Sequence, residues 1–287
     1  MELHYILDYA MRDKENASYE TGYEIDGRKY DRYMSNEDWN SYLEEEMSDV
    51  HREQYEKGDG GEIKEKRGRW GMYPPKMACY GSSSRIIYTL LRNVPSIEFE
   101  KKFATRVGHK ANLDAYLRKD NIDIFLEAKC REIYASHTKI DIGNDYKPVY
   151  EYIKQCNKKF GYSDEPSKAN NKFRCSFSYD GKPIIRFDIK QLICHFLAIV
   201  ANYLKPKKGE DAMTNIRFVY FIYNSKELNN EKLREIYSET IKEIKTINTS
   251  ELFKAVFDFQ KQNLEIEKEM PKFEFILADQ NNIMNYL

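Results

Sequence analysis

Asn112-Leu113-Asp114-Ala115-Tyr116-Leu117, followed after a turn by Ile124-Phe125-Leu126-Glu127-Ala128-Lys129-Cys130, is the stretch on which the reading of this chain depends. Both halves have strand-like apolar texture, and Lys119-Asp120-Asn121 between them has the chemistry of a polar turn. Residues two apart on a strand share a face, so Glu127 and Lys129 project together while Leu126, Ala128 and Cys130 face the other way. If the halves pair as a hairpin, Asp114 reaches the same side, and two carboxylates and an ammonium converge. The competing reading is a solvated helical turn. Glu-Ala-Lys is a good helix sequence, and 32% of the residues are charged, so such a triplet also arises by chance. The apolar run around the charges favours the strand, because a charge in such a run is costly unless paired or metal-bound.

Working outward, Glu98–Val107, Ala111–Leu117 and Ile122–Tyr134 read as three successive strands. Their short links predict an antiparallel meander, since a parallel crossover needs a dozen or more residues. Ahead of them, Ser82 or Ser83 caps a short helix whose face is Ile86, Ile87, Leu90 and Leu91, closed by Pro95. Behind them, residues 141–183 are polar and irregular apart from a helix around Val149–Cys156. Phe187–Leu204 is a long helix burying Ile189, Leu192, Ile193, Phe196, Val200 and Tyr203, and Pro206 stops it. Ile216–Tyr223 is a strong strand, Glu231–Ile244 and Ser250–Leu264 are amphipathic helices, and Phe273–Leu277 is a final strand. The expected class is α/β, a mixed central sheet flanked by helices, with a core order of helix, three strands, helix and strand (αβββαβ).

Residues 1–80 differ in texture and read as an N-terminal elaboration, largely helical and irregular, before a core with C-terminal helices over 81–287. Ser35 and Asp38 signal a helix from about Asn36, with Trp39, Tyr42, Leu43, Met47 and Val50 at helical spacing. Gly58, Gly60 and Gly61 break it, and the basic run Lys64, Lys66, Arg67 and Arg69 leads into Trp70, Tyr73, Pro74 and Pro75. The Tyr and Trp residues of this region have the chemistry to stack on bases, and read first as its own small core. The basic runs at Lys64–Arg69, Lys154–Lys159 and Lys205–Lys208 read as solvated surface that also offers phosphate contacts.

Composition narrows the class without deciding it. The chain has 287 residues, with Lys+Arg 46 against Asp+Glu 47, so any nucleic-acid surface must arise from charge segregation. Aromatic residues at 14% argue against disorder. Five scattered cysteines with no CxxC spacing indicate neither a disulfide framework nor a structural zinc site. No membrane span or secretory signal is evident, and a reducing cytoplasm is the expected location.

Two carboxylates bind hard divalent cations such as Mg²⁺ through oxygen. Such an ion polarises a phosphoryl group and activates water, and an adjacent lysine orients or deprotonates that water or stabilises the transition state. Leu113-Asp114 with Leu126-Glu127-Ala128-Lys129 resembles the D…(D/E)xK signature of the restriction-endonuclease-like, or PD-(D/E)XK, nuclease superfamily, as does the order of elements. Ser82-Ser83, Glu98–Lys102, Asn112-Leu113-Asp114 and Gln191-Leu192-x-x-His195 resemble an uncharacterised bacterial branch of it. The similarity spans roughly Ser82–Tyr223, about half the chain, and Leu113 stands where the signature has proline.

By position, the resemblance implies Asp114 and Glu127 as metal ligands and Lys129 as the catalytic lysine. It implies a further acid from the preceding helix or the first strand; on that strand Glu98 and Glu100 share a face, and Glu100 is favoured. It also implies Gln191 on the following helix, facing the metal site, with His195 ranked below it as a structural histidine. The activity so implied is that of an endodeoxyribonuclease using Mg²⁺ or Mn²⁺ on double-stranded DNA, in restriction or phage defence, with homodimers common among such enzymes. An RNA-cleaving or DNA-repair nuclease of the same fold, and a non-catalytic nucleic-acid-binding protein with a degenerate core, remain the alternatives.

Overall fold

The structure, a computed structural model, describes residues 22–30, 33–58, 61–79, 81–130, 132–205, 215–224 and 231–287. Gly60, Pro206 and the basic residues Lys207 and Lys208 lie outside them. A hairpin of β1 (Tyr23–Ile25) and β2 (Arg28–Tyr30) precedes helices α1 (Asn36–Glu45) and α2 (Asp49–Lys57). A second hairpin follows, β3 (Lys66–Gly68) and β4 (Gly71–Tyr73), and then helix α3 (Ser83–Leu91). The helical spacing from Trp39 to Val50 therefore spans two helices. Ser35 caps the first through Asp38 N, and Ser48 starts the second through His51 N, turning Val50 outward at 66% exposure while Trp39 and Met47 are buried. Hairpins are also present in a region expected to be helical and irregular.

The meander is present. Strands β5 (Glu98–Ala104), β6 (Lys110–Lys119) and β7 (Ile122–Lys129) pair antiparallel in succession. Lys119 and Ile122 face each other across a two-residue turn, and Asp120 takes the left-handed backbone (φ 53°) that Asp tolerates in such hairpins. The third strand is shorter than expected. It ends at Lys129, and Glu132–Tyr134 is a 3₁₀ turn.

Residues 141–183, read as mostly irregular, instead build a second small sheet. Strand β8 (Ile140–Gly143) precedes helix α4 (Lys147–Cys156), and β9 (Phe160–Pro166), β10 (Lys172–Tyr179) and β11 (Lys182–Pro183) follow. Strand β9 lies along one edge of β10, while β8 and β11 share the other. Phe173, Cys175, Phe177 and Tyr179 alternate inward against Arg174, Ser176 and Ser178, a period of two set among polar neighbours.

Helix α5 (Ile189–Tyr203) returns the chain to β12 (Asn215–Ile222), parallel to β7. Helices α6 (Glu231–Thr246) and α7 (Thr249–Leu264) then lead to β13 (Phe273–Ala278), parallel to β12. The result is a mixed α/β fold with a five-stranded central sheet in the order β13-β12-β7-β6-β5. One core lies between this sheet, α5, α7 and the small sheet, and includes Phe125, Phe196, Phe218 and Phe253. The other lies on the opposite face, where Trp39, Tyr55, Met77 and Ile86 pack with Leu126, Ala128 and Phe221. Among the described residues, the buried aromatic residues of the N-terminal region thus share a core with the sheet and do not form one of their own, and Trp70 belongs to neither core. Among the described residues, no helix is long and apolar enough to cross a membrane.

Candidate active site

Both ladders of the meander lapse at one place. Between β5 and β6, Phe99 pairs with Ala115 and Lys101 with Leu113, while Glu100 and Asp114 between them do not pair. Between β6 and β7, pairing ends at Ala115 and Leu126, one step short of Asp114 and Glu127. Glu100 has φ 50°, a left-handed backbone that costs a non-glycine residue energy unless its surroundings impose it. Beyond this point β6 changes sides: Ala115 and Leu117 belong to the core beside α3, Ala111 and Leu113 to the core beneath α5. A local break of this kind re-aims side chains, and here it releases the Ala128 N–H from the ladder. That N–H donates to Asp114 Oδ2 at 2.6 Å.

Regular alternation along β7 turns Glu127 and Lys129 toward α5, with Leu126 and Ala128 in the opposite core, as the spacing predicts. Glu127 is 3% exposed and surrounded by donors. Lys129 Nζ donates to its Oε1 at 2.5 Å, Gln191 Nε2 to the same oxygen at 2.7 Å, and His195 Nε2 stands 3.0 Å from Oε2. Gln191 and His195 lie one turn apart on α5, so a single helix face meets the carboxylate. Asp188 caps that helix through Gln191 N, which fixes where the face begins.

The electrostatics divide the carboxylates in two. Burial alone would raise the Glu127 carboxyl, but the Lys129 ammonium and then His195 hold it down at about 2. Burial likewise disfavours the Lys129 charge, and the Glu127 carboxylate more than offsets it, so the lysine is raised and protonated. Asp114 is shifted the other way. Its carboxyl is well above the usual range, through burial first and then the charges of Glu127 and Glu100. Glu100 is 6% exposed and pushed up to about 8 by burial and by neighbouring Glu62, while Asn112 Nδ2 donates to its Oε2.

Of the two acids on β5, only Glu100 joins this group; Glu98 pairs with Lys101 at the surface. The regular shared face expected for the two does not survive the backbone turn at Glu100. Glu62 and Lys76, which pair with each other at 2.5 Å, also border Glu100, and neither was marked as a candidate by any sequence pattern. His195, ranked below Gln191 on sequence, meets the same carboxylate.

The oxygen-rich side holds Glu100, Asp114 and the Oδ1 of Asn112, an acceptor shielded from solvent with no hydrogen-bond partner among the described residues. Among the described residues, no three or more His, Cys, Asp or Glu side chains are gathered into a ready metal-holding set. On the other side of Lys129, a cavity of about 100 Å³ is lined by Lys129, His137, Arg186, Asp188, Gln191 and Tyr220, among others. Clefts of ≈ 360 Å³ beside Tyr237 and Asp279, and of ≈ 350 Å³ on the small sheet, are larger but carry none of these residues.

One consequence is measurable without any substrate. His195→Ala leaves Glu127 Oε2 buried and short of a partner, and lowers stability by about 1–3 kcal/mol in thermal or urea unfolding.

Comparison with protein-family models, with curated proteins and with solved structures finds no match to this chain.

Proposed function

We propose that the chain is a metal-dependent nuclease of the PD-(D/E)XK type, an endodeoxyribonuclease of the cytoplasm that hydrolyses double-stranded DNA. The observation that carries this reading is the opening of the sheet at Asp114. There three carboxylates from three adjacent strands sit close enough to perturb one another, with a protonated lysine on one of them. Gathering three carboxyl groups in one buried place serves no packing need, because ionising Asp114 and Glu100 there opposes folding. The order α3, β5, β6, β7, α5, β12, with the small sheet inserted after β7, further supports the restriction-endonuclease-like core.

The donor set suits Mg²⁺ or Mn²⁺, which prefer oxygen. Asp114 and Glu127 would hold the ion, with Glu100 adding a third carboxylate and Asn112 Oδ1 a neutral oxygen. When bound, the ion supplies Lewis acidity toward a phosphoryl oxygen and lowers the pKa of a water. The chain's own residues do the rest. Lys129, which donates to Glu127, would donate to a phosphate oxygen and stabilise the charge that grows there. Gln191 and His195 fix the orientation of Glu127. Arg186 lines the cavity beside Lys129 and adds positive charge where the scissile phosphate would enter, alongside the acids Glu132 and Asp188.

Incubation of supercoiled plasmid and of single-stranded RNA with Mg²⁺, Mn²⁺ or EDTA tests the reading. Nicking or linearisation of plasmid, abolished by EDTA, is the expected result. RNA cleavage alone would keep the site and change the substrate. Cleavage of neither by folded protein would favour a nucleic-acid-binding module with a degenerate core.

A further inference from the structure

The two tryptophans of the chain lie in opposite surroundings. Trp39 is 2% exposed within the core, whereas Trp70 is 67% exposed at the end of the β3–β4 ribbon. Arg69 and Trp70 form the turn of this ribbon, with Gly68 paired to Gly71. Gly71 has φ 116°, a conformation that side chains rarely adopt, so the sharp return of the chain depends on glycine. The Arg69 guanidinium stands 4.9 Å over the indole, which leaves the tip aromatic and cationic at once.

The ribbon is anchored. Arg28 Nη1 donates to Trp70 O at 3.1 Å, Tyr30 OH to Met72 O at 3.1 Å, and Tyr23 OH to Glu65 Oε1 at 2.9 Å. Glu65 is the one acid among Lys64, Lys66, Arg67 and Arg69, and Tyr23 occupies it. The ribbon also starts from the carboxylate site. At its base Lys76 N bonds Gly61 O and Met77 N bonds Glu62 O, and both Glu62 and Lys76 border Glu100. Gly58, just before it, lies so close that an added Cβ would stand 3.1 Å from Glu100 Cβ.

We propose that β3–β4 is a DNA-contacting arm that enters a groove of the duplex beside the scissile phosphate. Trp70 rests on a base or sugar, and Arg67 and Arg69 meet flanking phosphates. The inference rests on the nuclease reading for its choice of partner. A two-stranded antiparallel ribbon fits the major groove, and three residues per strand reach about 10 Å, comparable to the groove's depth of roughly 8.5 Å. An exposed indole beside a guanidinium suits base or sugar contact, and the cations around it suit the phosphate backbone.

Trp70 is its own reporter, because Trp39 is shielded. Intrinsic fluorescence of the 287-residue chain is titrated with a short DNA duplex in EDTA, where no metal-dependent cleavage occurs. Quenching is expected in the wild type and in Trp39→Phe, and absent in Trp70→Phe. Arg67→Glu with Arg69→Glu weakens duplex binding by about tenfold or more and reduces the slope of log affinity against log salt by roughly 2. Quenching by single-stranded RNA but not by duplex overturns the proposal. So does duplex binding that leaves Trp70 unquenched and is unaffected by the double arginine variant, even if the protein cleaves plasmid. Duplex quenching through Trp70 in a protein that cleaves nothing supports the arm and refutes the nuclease reading instead.

Discussion

Lys129→Met is expected to lower the proposed cleavage by roughly 10³-fold and to destabilise the fold at the same time. The two effects have separate causes. The rate falls because the ammonium that would meet the growing phosphoryl charge is gone, and methionine keeps the length without the charge. Stability falls because Glu127 is 3% exposed and loses the partner 2.5 Å from its Oε1, leaving Gln191 and His195 to balance a buried carboxylate. Removing one member of a buried pair costs about 3–5 kcal/mol, and the two remaining donors reduce that figure. The double variant Lys129→Met, Glu127→Gln removes the orphaned charge and recovers most of the stability, while cleavage stays lost. Thermal unfolding of the single and double variants measures the coupling directly. Equal destabilisation in both would show that the pair is not an energetic unit.

Glu100→Gln and Asp114→Asn are expected to produce the opposite pairing of effects: a more stable protein without the proposed cleavage. Both carboxyls titrate higher in the folded chain than in the unfolded one, Glu100 at about 8 against an ordinary 4.5. Between those values the folded state holds more protons, so metal-free stability falls as pH rises through the window. The neutral amides mimic the protonated acids, and Asn at 114 still accepts from Ala128 N. At about pH 8 without metal, Glu100→Gln gains on the order of 2 kcal/mol, or about 5 °C in Tm, and Asp114→Asn shifts in the same direction. Mn²⁺ raises the wild-type Tm more at about pH 8 than at about pH 6, because binding must displace the protons, and the increase disappears in Asp114→Asn. A wild-type Tm indifferent to Mn²⁺ at both pH values would count against these oxygens as ligands.

How much of this was legible in the sequence depended on the length scale of the cause. Asp114, Glu127 and Lys129 were readable because strand alternation and a two-residue turn are local properties, and the hairpin that joins them followed from both. The register with which β12 lies beside β7, setting Tyr220 against Glu127, is a product of the α5 crossover and has no local signature. Glu100 could be named, but its convergence with Asp114 depends on a left-handed backbone and on β6 changing sides, neither of which leaves a pattern.

A lone helix histidine reads as structural, and only the tertiary fold sets His195 against Glu127. The small sheet was overlooked although Phe173, Cys175, Phe177 and Tyr179 alternate plainly; their polar surroundings masked a strand half-buried against α4. Composition leaves Trp70 with both readings, a core residue or a surface for base stacking. Its place at the tip of a glycine-flanked ribbon puts it in solvent.

The most direct test of the proposed catalytic centre compares plasmid nicking in Mg²⁺ and Mn²⁺ by wild type, Asp114→Asn and Lys129→Met, each confirmed folded by thermal unfolding. Metal-dependent nicking by the wild type, lost in both variants while Asp114→Asn melts higher than wild type, is the predicted result. Nicking that persists in folded Asp114→Asn and Lys129→Met would contradict it, placing the chemistry elsewhere on the molecule or outside it.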